Sequence, residues 1–269
     1  MHYKNKRVLV TGASGFIGKA LVYRLNQLGA NVCEYDLRRD TYVPEGKASY
    51  VFHFGSSSSQ ILFKRNMLGS VSDTINSFKR VNQFARNLDA RLIYPSTGLC
   101  STNNLNEYAR TKKLLEDIHL SHNLNALGLR IFATYGPGEE HKALYASVPH
   151  IFSTDVIEGR KCLIYGDGMQ SRDFIYIDDV IESILILAEH ATEPIIEIGS
   201  GQKTSFNELF GIIRETYRGE DCDEAIYVPA PQSYITETKA DTKILHKYYK
   251  PETYLDTGIS ELIKHIIKL

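Results

Sequence analysis

The apolar run Val8-Leu9-Val10 passes at once into Thr11-Gly12-Ala13-Ser14-Gly15-Phe16-Ile17-Gly18, and an amphipathic stretch follows. A buried strand that turns abruptly into a helix leaves backbone N–H groups without partners and the positive end of the helix dipole facing outward. That combination suits a pyrophosphate. A side chain at Gly12 would obstruct the tight turn, one at Gly15 would hold phosphates off the backbone, and one at Gly18 would keep the helix off the sheet. A second apolar strand, Asn31 to Tyr35, ends on Asp36, at a distance that suits hydrogen bonds from an adenosine ribose. Gly12, Ser14, Gly15, Phe16, Ile17 and Asp36 are therefore the expected dinucleotide-binding residues. A plain strand-to-helix turn is the alternative, which this context disfavours.

The 269 residues suffice for one large α/β domain or for a main domain with a smaller lobe. A formal net charge of −1 offers no electrostatic case for nucleic acid or an acidic membrane. Cys33, Cys100, Cys162 and Cys222 are scattered, form neither a CxxC pair nor a metal set, and read as reduced thiols of a cytoplasmic protein. No apolar run approaches the ~20 residues of a membrane span. The polar stretch His2 to Arg7 leads straight into the first strand, against a signal peptide.

Strands are expected near 6–11, 31–36, 49–54, 90–95 and 125–132, with helices near 15–28, 60–88 and 107–122. Strands alternating with helical crossovers indicate a Rossmann-like, doubly wound parallel sheet. After Gly136-Pro137-Gly138 the alternation gives way to a helix near 147–158, short strands near 162–165 and 173–176, and a helix opening at Asp178-Asp179. A strand at 195–198, a helix at 205–217 opened by Ser205 and a last helix after Pro251 complete the pattern. Residues 1–135 are expected to form the dinucleotide-binding domain. Residues 136–269 are expected to be mostly a mixed substrate-binding lobe, with elements returning to the main sheet.

Tyr108 and Lys112 lie four residues apart on an expected helix, so both side chains emerge on one face. A phenol near pKa ~10 is a poor base at neutral pH. A lysine ammonium one turn away, together with a cationic nicotinamide ring, would favour the phenolate. Tyr108 could then take a proton from a sugar hydroxyl as hydride leaves the same carbon, or return one in reduction. With 17 tyrosines in the chain, one Tyr-x-x-x-Lys is weak by itself. Its context is stronger, because Leu92-Ile93-Tyr94-Pro95-Ser96-Thr97 is an apolar strand that ends in two hydroxyls shortly before it. The carboxyl ends of such strands carry active sites, and Thr97 or Ser96 could hydrogen-bond the same substrate oxygen.

These motifs occur in a fixed order with Leu129-Arg130-x-Phe132, Tyr135-Gly136-Pro137-Gly138, Tyr165-Gly166-Asp167-Gly168, Arg172-Asp173-Phe174-Ile175-Tyr176-Ile177-Asp178-Asp179-Val180 and Ile198-Gly199-Ser200-Gly201. The ordered set resembles the extended short-chain dehydrogenase/reductase family, specifically its nucleotide-sugar epimerase/dehydratase branch. The resemblance implies bound NAD or NADP and often a homodimer built on a four-helix bundle. It implies Thr97 as the catalytic hydroxyl, Tyr108 as acid/base and Lys112 as the ribose-binding lysine. It places Phe54-Gly55-Ser56 along the cofactor, matches Asn66 to an asparagine of the following helix, and gives Arg172 the substrate diphosphate, which suits a guanidinium fork.

Departures from the family pattern bear on the chemistry. The stretch between Asp36 and the strand at Ser49 is too short for the usual strand–helix unit. Ala133 stands where an asparagine usually touches substrate. Gly98 and Leu99 follow Thr97 where 4,6-dehydratases carry Asp-Glu, and neither can supply an acid or a base, which argues against dehydration. Asp36 repels a 2′-phosphate and favours NAD, whereas Arg38 and Arg39 leave NADP open. His53 reads as structural, and His141 and His150 lack metal-like spacing. The expected function is hydride transfer at a carbon of a nucleotide-activated sugar, as an epimerase or a 4-keto reductase. Reduction of a non-sugar carbonyl and a catalytically silent dinucleotide sensor are the alternatives.

Overall fold

A computed structural model of the chain describes residues 2–42, 44–58, 60–102, 105–217, 224–231 and 234–269. Cys222 lies outside the described residues.

The chain opens with β1 (Arg7–Thr11), α1 (Phe16–Gln27), β2 (Asn31–Tyr35), β3 (Tyr50–His53), α2 (Gln60–Arg65), α3 (Met67–Asn87), β4 (Arg91–Thr97), α4 (Glu107–Ser121) and β5 (Ala126–Ile131). It continues with β6 (Ala133–Tyr135), α5 (Val148–Ile157), β7 (Leu163–Tyr165), β8 (Ser171–Arg172), β9 (Phe174–Tyr176), α6 (Ile177–His190) and β10 (Ile195–Ile198). The remaining elements are β11 (Thr204–Ser205), α7 (Phe206–Tyr217), β12 (Ile226–Val228) and α8 (Leu255–Ile267).

Two units divide these elements. The first comprises Met1–Ile131, Ile181–Ile198 and Ile244–Tyr249; the second comprises Phe132–Val180, Gly199–Lys243 and Lys250–Leu269. The first holds a six-stranded sheet in the order β10-β5-β4-β3-β1-β2, with every neighbouring pair parallel. Val8, Leu9, Val10, Val51, Phe52, Leu92 and Ile93 are almost wholly buried. Strands covered on both faces read as unbroken apolar runs, which is why they were legible. The chain moves from β1 outward to β2 and then back past β1 to β3, so a crevice opens at the carboxyl ends of β1 and β3.

A doubly wound dinucleotide fold commonly carries one more strand beyond β2. Here β2 is the edge, and residues 36–49 return directly to β3, as the short spacing after Asp36 implied. The helix expected over 60–88 is broken in two. Asn66 accepts a hydrogen bond from the Gly69 N–H at 3.1 Å and starts α3 afresh.

The second unit contains the two-stranded pairs β11-β8, β12-β7 and β6-β9. β6, which the sequence reading places with residues 1–135, belongs here. It runs parallel to β9, and the Ala133 N–H donates to the Asp173 carbonyl at 3.0 Å. Ser205 and Glu208 form a reciprocal cap at the start of α7: the Ser205 N–H and hydroxyl donate to Glu208 Oε2, and the Glu208 N–H donates to Ser205 Oγ.

Candidate active site

The glycine turn is a set of close backbone approaches. Gly12 has φ +73°, and a Cβ there would lie 2.5 Å from the Phe54 and Gly55 backbone. A Cβ on Gly18 would lie 2.0 Å from the Gly12 carbonyl oxygen. Gly12 thus serves the neighbouring loop as much as its own turn. That loop is tied back to β1, because the Phe54 N–H donates to the Thr11 carbonyl at 2.9 Å and the Gly55 N–H to Thr11 Oγ1 at 3.3 Å. Gly15 differs: a Cβ there would meet only the Gly12 oxygen, at 3.3 Å. Gly15 is also the N-cap of α1, and no side chain caps that helix. The open space before Gly15 and the uncapped helix end fit a phosphate cradle. Phe16 is buried, so its backbone is what it can offer, while Ser14 and the half-buried Ile17 flank the turn.

Asp36 lies one residue beyond Tyr35, which pairs with Thr11, so it stands beside the glycine turn. Its Oδ1 accepts the Arg38 N–H at 2.9 Å, and its own N–H donates to Asp40 Oδ2 at 2.8 Å. Arg39 is drawn to Asp40 at 3.3 Å.

β4 and α4 carry the residues expected to form the acid/base set. Thr97 ends β4, buried, with its Oγ1 accepting the Leu99 N–H at 3.4 Å. The Asn106 side chain caps α4 through the Ala109 N–H at 2.9 Å, which starts the helix just before Tyr108. Burial pushes the Tyr108 phenol up to about 12, and a side-chain hydrogen bond with Thr97 partly offsets that rise. Lys112 is 2% exposed; its Nζ donates to Ser56 Oγ at 2.9 Å and lies 6.0 Å from the centre of the Tyr108 ring. Burial brings its pKa down to about 8. The expected lowering of the phenol by Lys112 is not what the protein alone delivers: desolvation dominates at both groups and shifts each toward its neutral form, with Thr97 the one influence that lowers the phenol.

Ser96, the alternative hydroxyl, is committed elsewhere. Its Oγ donates to Glu116 Oε1 at 2.6 Å. Glu116 is fully buried and also receives Arg130 through Nε at 2.9 Å and Nη2 at 2.7 Å. Thr97 is left as the hydroxyl beside Tyr108. Sequence reasoning passed over Glu116, although it follows Tyr108 and Lys112 at the same four-residue interval and so shares their helix face. His53 is almost wholly buried, with Nδ1 2.8 Å from Thr11 Oγ1 and no partner for Nε2. Desolvation, and then the charge of Lys112, bring it down to about 3, so it is a neutral imidazole in a structural position.

In the second unit, Arg172 donates to the Ser171 carbonyl at 2.8 Å, and its guanidinium lies over the rings of Phe206 and Tyr234, at 5.5 and 5.6 Å. Neither aromatic partner was read from the sequence, since both are distant along the chain. Asp173 next to it is buried and accepts the N–H groups of Ser200, Gly201 and Ala240 at 2.7–3.0 Å. Ala133 is half-buried on β6.

A parallel sheet with a glycine-built phosphate cradle, an acidic residue after β2 and a Thr–Tyr–Lys set after β4 defines a dinucleotide-dependent enzyme of the short-chain dehydrogenase/reductase type. The model of the NAD dependent epimerase/dehydratase family matches residues 8–199, and the chain belongs to that family. It is an NAD-dependent enzyme. The ADP-L-glycero-D-manno-heptose-6-epimerase of Cupriavidus pinatubonensis is 29% identical, with 80% of this chain and 79% of that protein covered. Among solved structures, the UDP-N-acetylglucosamine 4-epimerase of Methanobrevibacter ruminantium M1 superposes with a TM-score of 0.87 at 24% identity, covering 98% of this chain and 99% of that one. MoeE5, solved with UDP-glucose and NAD, gives 0.83 at 23% identity, covering 97% and 99%. These two structural likenesses show the fold.

Proposed function

We propose that the protein is an epimerase of a nucleotide-activated sugar, with Tyr108 as the proton carrier at the carbinol that is oxidised and re-reduced. The carrying observation is the half-buried Tyr108 one helical turn before the buried Lys112, whose Nζ holds Ser56 Oγ at 2.9 Å and lies 6.0 Å from the Tyr108 ring centre. The glycine cradle fits NAD, with Gly12, Ser14, Gly15, Phe16 and Ile17 at the pyrophosphate and Asp36 at the adenosine ribose. When bound, NAD supplies a reversible hydride acceptor and, in its oxidised form, a positive charge.

Thr97 orients the substrate hydroxyl, Tyr108 takes its proton and later returns it, and Lys112 holds the nicotinamide ribose and keeps water from the phenol. Arg172 takes the substrate diphosphate, with its flat faces covered by Phe206 and Tyr234 and its N–H edge left for oxygens. The absence of an acidic pair at Gly98-Leu99 supports epimerisation over dehydration, and two of the relatives named above bear the name epimerase.

A homodimer through α3 and α4 is supported by the exposed Met67, Leu68, Leu114 and Leu120 on those two helices. A cytoplasmic setting fits the free thiols of Cys33 and Cys100.

The test is a panel of ADP-, UDP-, TDP-, CDP- and GDP-sugars followed by chromatography and absorbance at 340 nm. Interconversion of two sugars with no net change in reduced nicotinamide is the expected result. Stoichiometric consumption of NADH with a 4-keto sugar would instead make the protein a reductase. With the active sugar in hand, Arg172→Ala is expected to raise KM by an amount corresponding to roughly 1.5–3 kcal/mol, with NAD affinity unchanged.

A further inference from the structure

The loop that replaces the strand–helix unit after β2 is held by one side chain from α3. Arg80 donates through Nη1 to the Leu37 carbonyl at 3.0 Å and through Nη2 to the Asp40 carbonyl at 2.8 Å and the Tyr35 hydroxyl at 2.5 Å. Its guanidinium also lies over the rings of Tyr35 and Phe84, at 5.4 and 5.3 Å. Tyr35 in turn donates to the carbonyls of Asp40 and Tyr42 at 2.8 and 2.7 Å, and its ring meets Tyr42 and Phe84 edge-on. Leu37 packs against the hydrophobic cluster that contains Leu9, Val51 and Phe84. The loop between Asp36 and Tyr42 is therefore fastened at three carbonyls and one apolar anchor. Asp36 is fixed within it by the Arg38 and Asp40 contacts described above.

We infer that Arg80 is a positioning residue for cofactor binding: by clamping residues 37–42 it holds the Asp36 carboxylate beside the glycine turn. The inference rests on Asp36 contacting the adenosine ribose. A planar fork with five donors can span two carbonyls and a hydroxyl while stacking on two rings, which a lysine cannot do. The role is specific to the adenosine half of NAD, because every group that Arg80 touches lies on the β2 side of β1 or on α3 itself.

The test is calorimetric titration of NAD, ADP and nicotinamide mononucleotide into nucleotide-free wild type, Arg80→Met, Tyr35→Phe and Asp36→Ala. Arg80→Met keeps the apolar stem and removes every donor. It is expected to weaken NAD and ADP by ~10-fold, the scale of one lost charge-assisted hydrogen bond, with nicotinamide mononucleotide unchanged and kcat at saturating NAD within about twofold. Tyr35→Phe keeps the ring, removes the shared hydroxyl and is expected to move ADP in the same direction by less. Unchanged ADP affinity in folded Arg80→Met overturns the inference. Equal weakening of ADP and nicotinamide mononucleotide also overturns it, since that pattern marks a general structural loss. If Arg80→Met fails to fold, Tyr35→Phe decides by the same two criteria. Asp36→Ala separates the premise: unchanged NAD affinity there removes Asp36 from the ribose, whereas weakening there without weakening in Arg80→Met removes Arg80 alone.

Discussion

Helix α4 carries three ionisable side chains at successive turns, Tyr108, Lys112 and Glu116, and its two ends treat charge in opposite ways. At Glu116 burial favours the neutral acid, yet the Arg130 fork and the Ser96 hydroxyl more than reverse it and hold the carboxyl below its ordinary range. At Tyr108 and Lys112 nothing in the protein reverses burial, and both groups shift toward neutrality. A compensated buried charge is a fastening: here it joins α4 to the Ser96 of β4 and the Arg130 of β5. An uncompensated pair is poised to respond when a ligand brings the missing charge. The same helix thus holds a fixed end and a responsive end one turn apart.

Three measurements test that contrast. The largest effect is expected for Tyr108→Phe, with turnover down 10²- to 10⁴-fold, the usual contribution of a proton carrier, and both melting temperature and NAD affinity retained. Near-normal turnover would remove Tyr108 from the chemistry. Glu116→Leu is expected to do the reverse. Arg130 would lose its buried partner but keep Glu197 at 3.5 Å, so the loss should cost about 1–3 kcal/mol of stability, read by denaturant titration, while NAD affinity of the folded fraction stays within a few-fold. A selective loss of activity with stability intact would move Glu116 to the responsive end.

The smallest effect is a pH dependence. The native lysine at about 8 lies below its ordinary 10.5, so between those values the unfolded chain binds a proton that the native protein does not. Stability therefore rises with pH across that window in wild type and not in Lys112→Met. Parallel pH profiles for the two proteins would show that Lys112 is not held in its neutral form.

Much of this was legible along the chain because its signals are local. Buried parallel strands show as continuous apolar runs, the glycine turn is eight contiguous residues, and the Tyr–Lys spacing is a helix turn. The missing strand was visible as a length. What escaped the sequence reading depends on pairings across distance. Ser96 and Thr97 are equivalent as adjacent hydroxyls until Glu116, 20 residues on, claims one of them. The break at Asn66 was hidden because a capping asparagine inside a helical pattern resembles an ordinary polar position. The assignment of β6 to the second unit turned on its partner β9, 39 residues farther on between Tyr135 and Phe174. Arg80 carries no local signature at all; only the folded loop reveals what it holds.

The sheet's end at β2 has a consequence for how the protein behaves in a crowded solution. An outermost strand offers a row of backbone donors and acceptors to any other extended chain, which is a common start of aggregation. Along this strand Asn31 and Glu34 are exposed, while Val32 and Cys33 are only half covered. A polar residue at one end and a carboxylate next to the other make that border a poor template for a foreign strand. With β2 outermost, Asn31 and Glu34 are the residues that guard this border of the sheet.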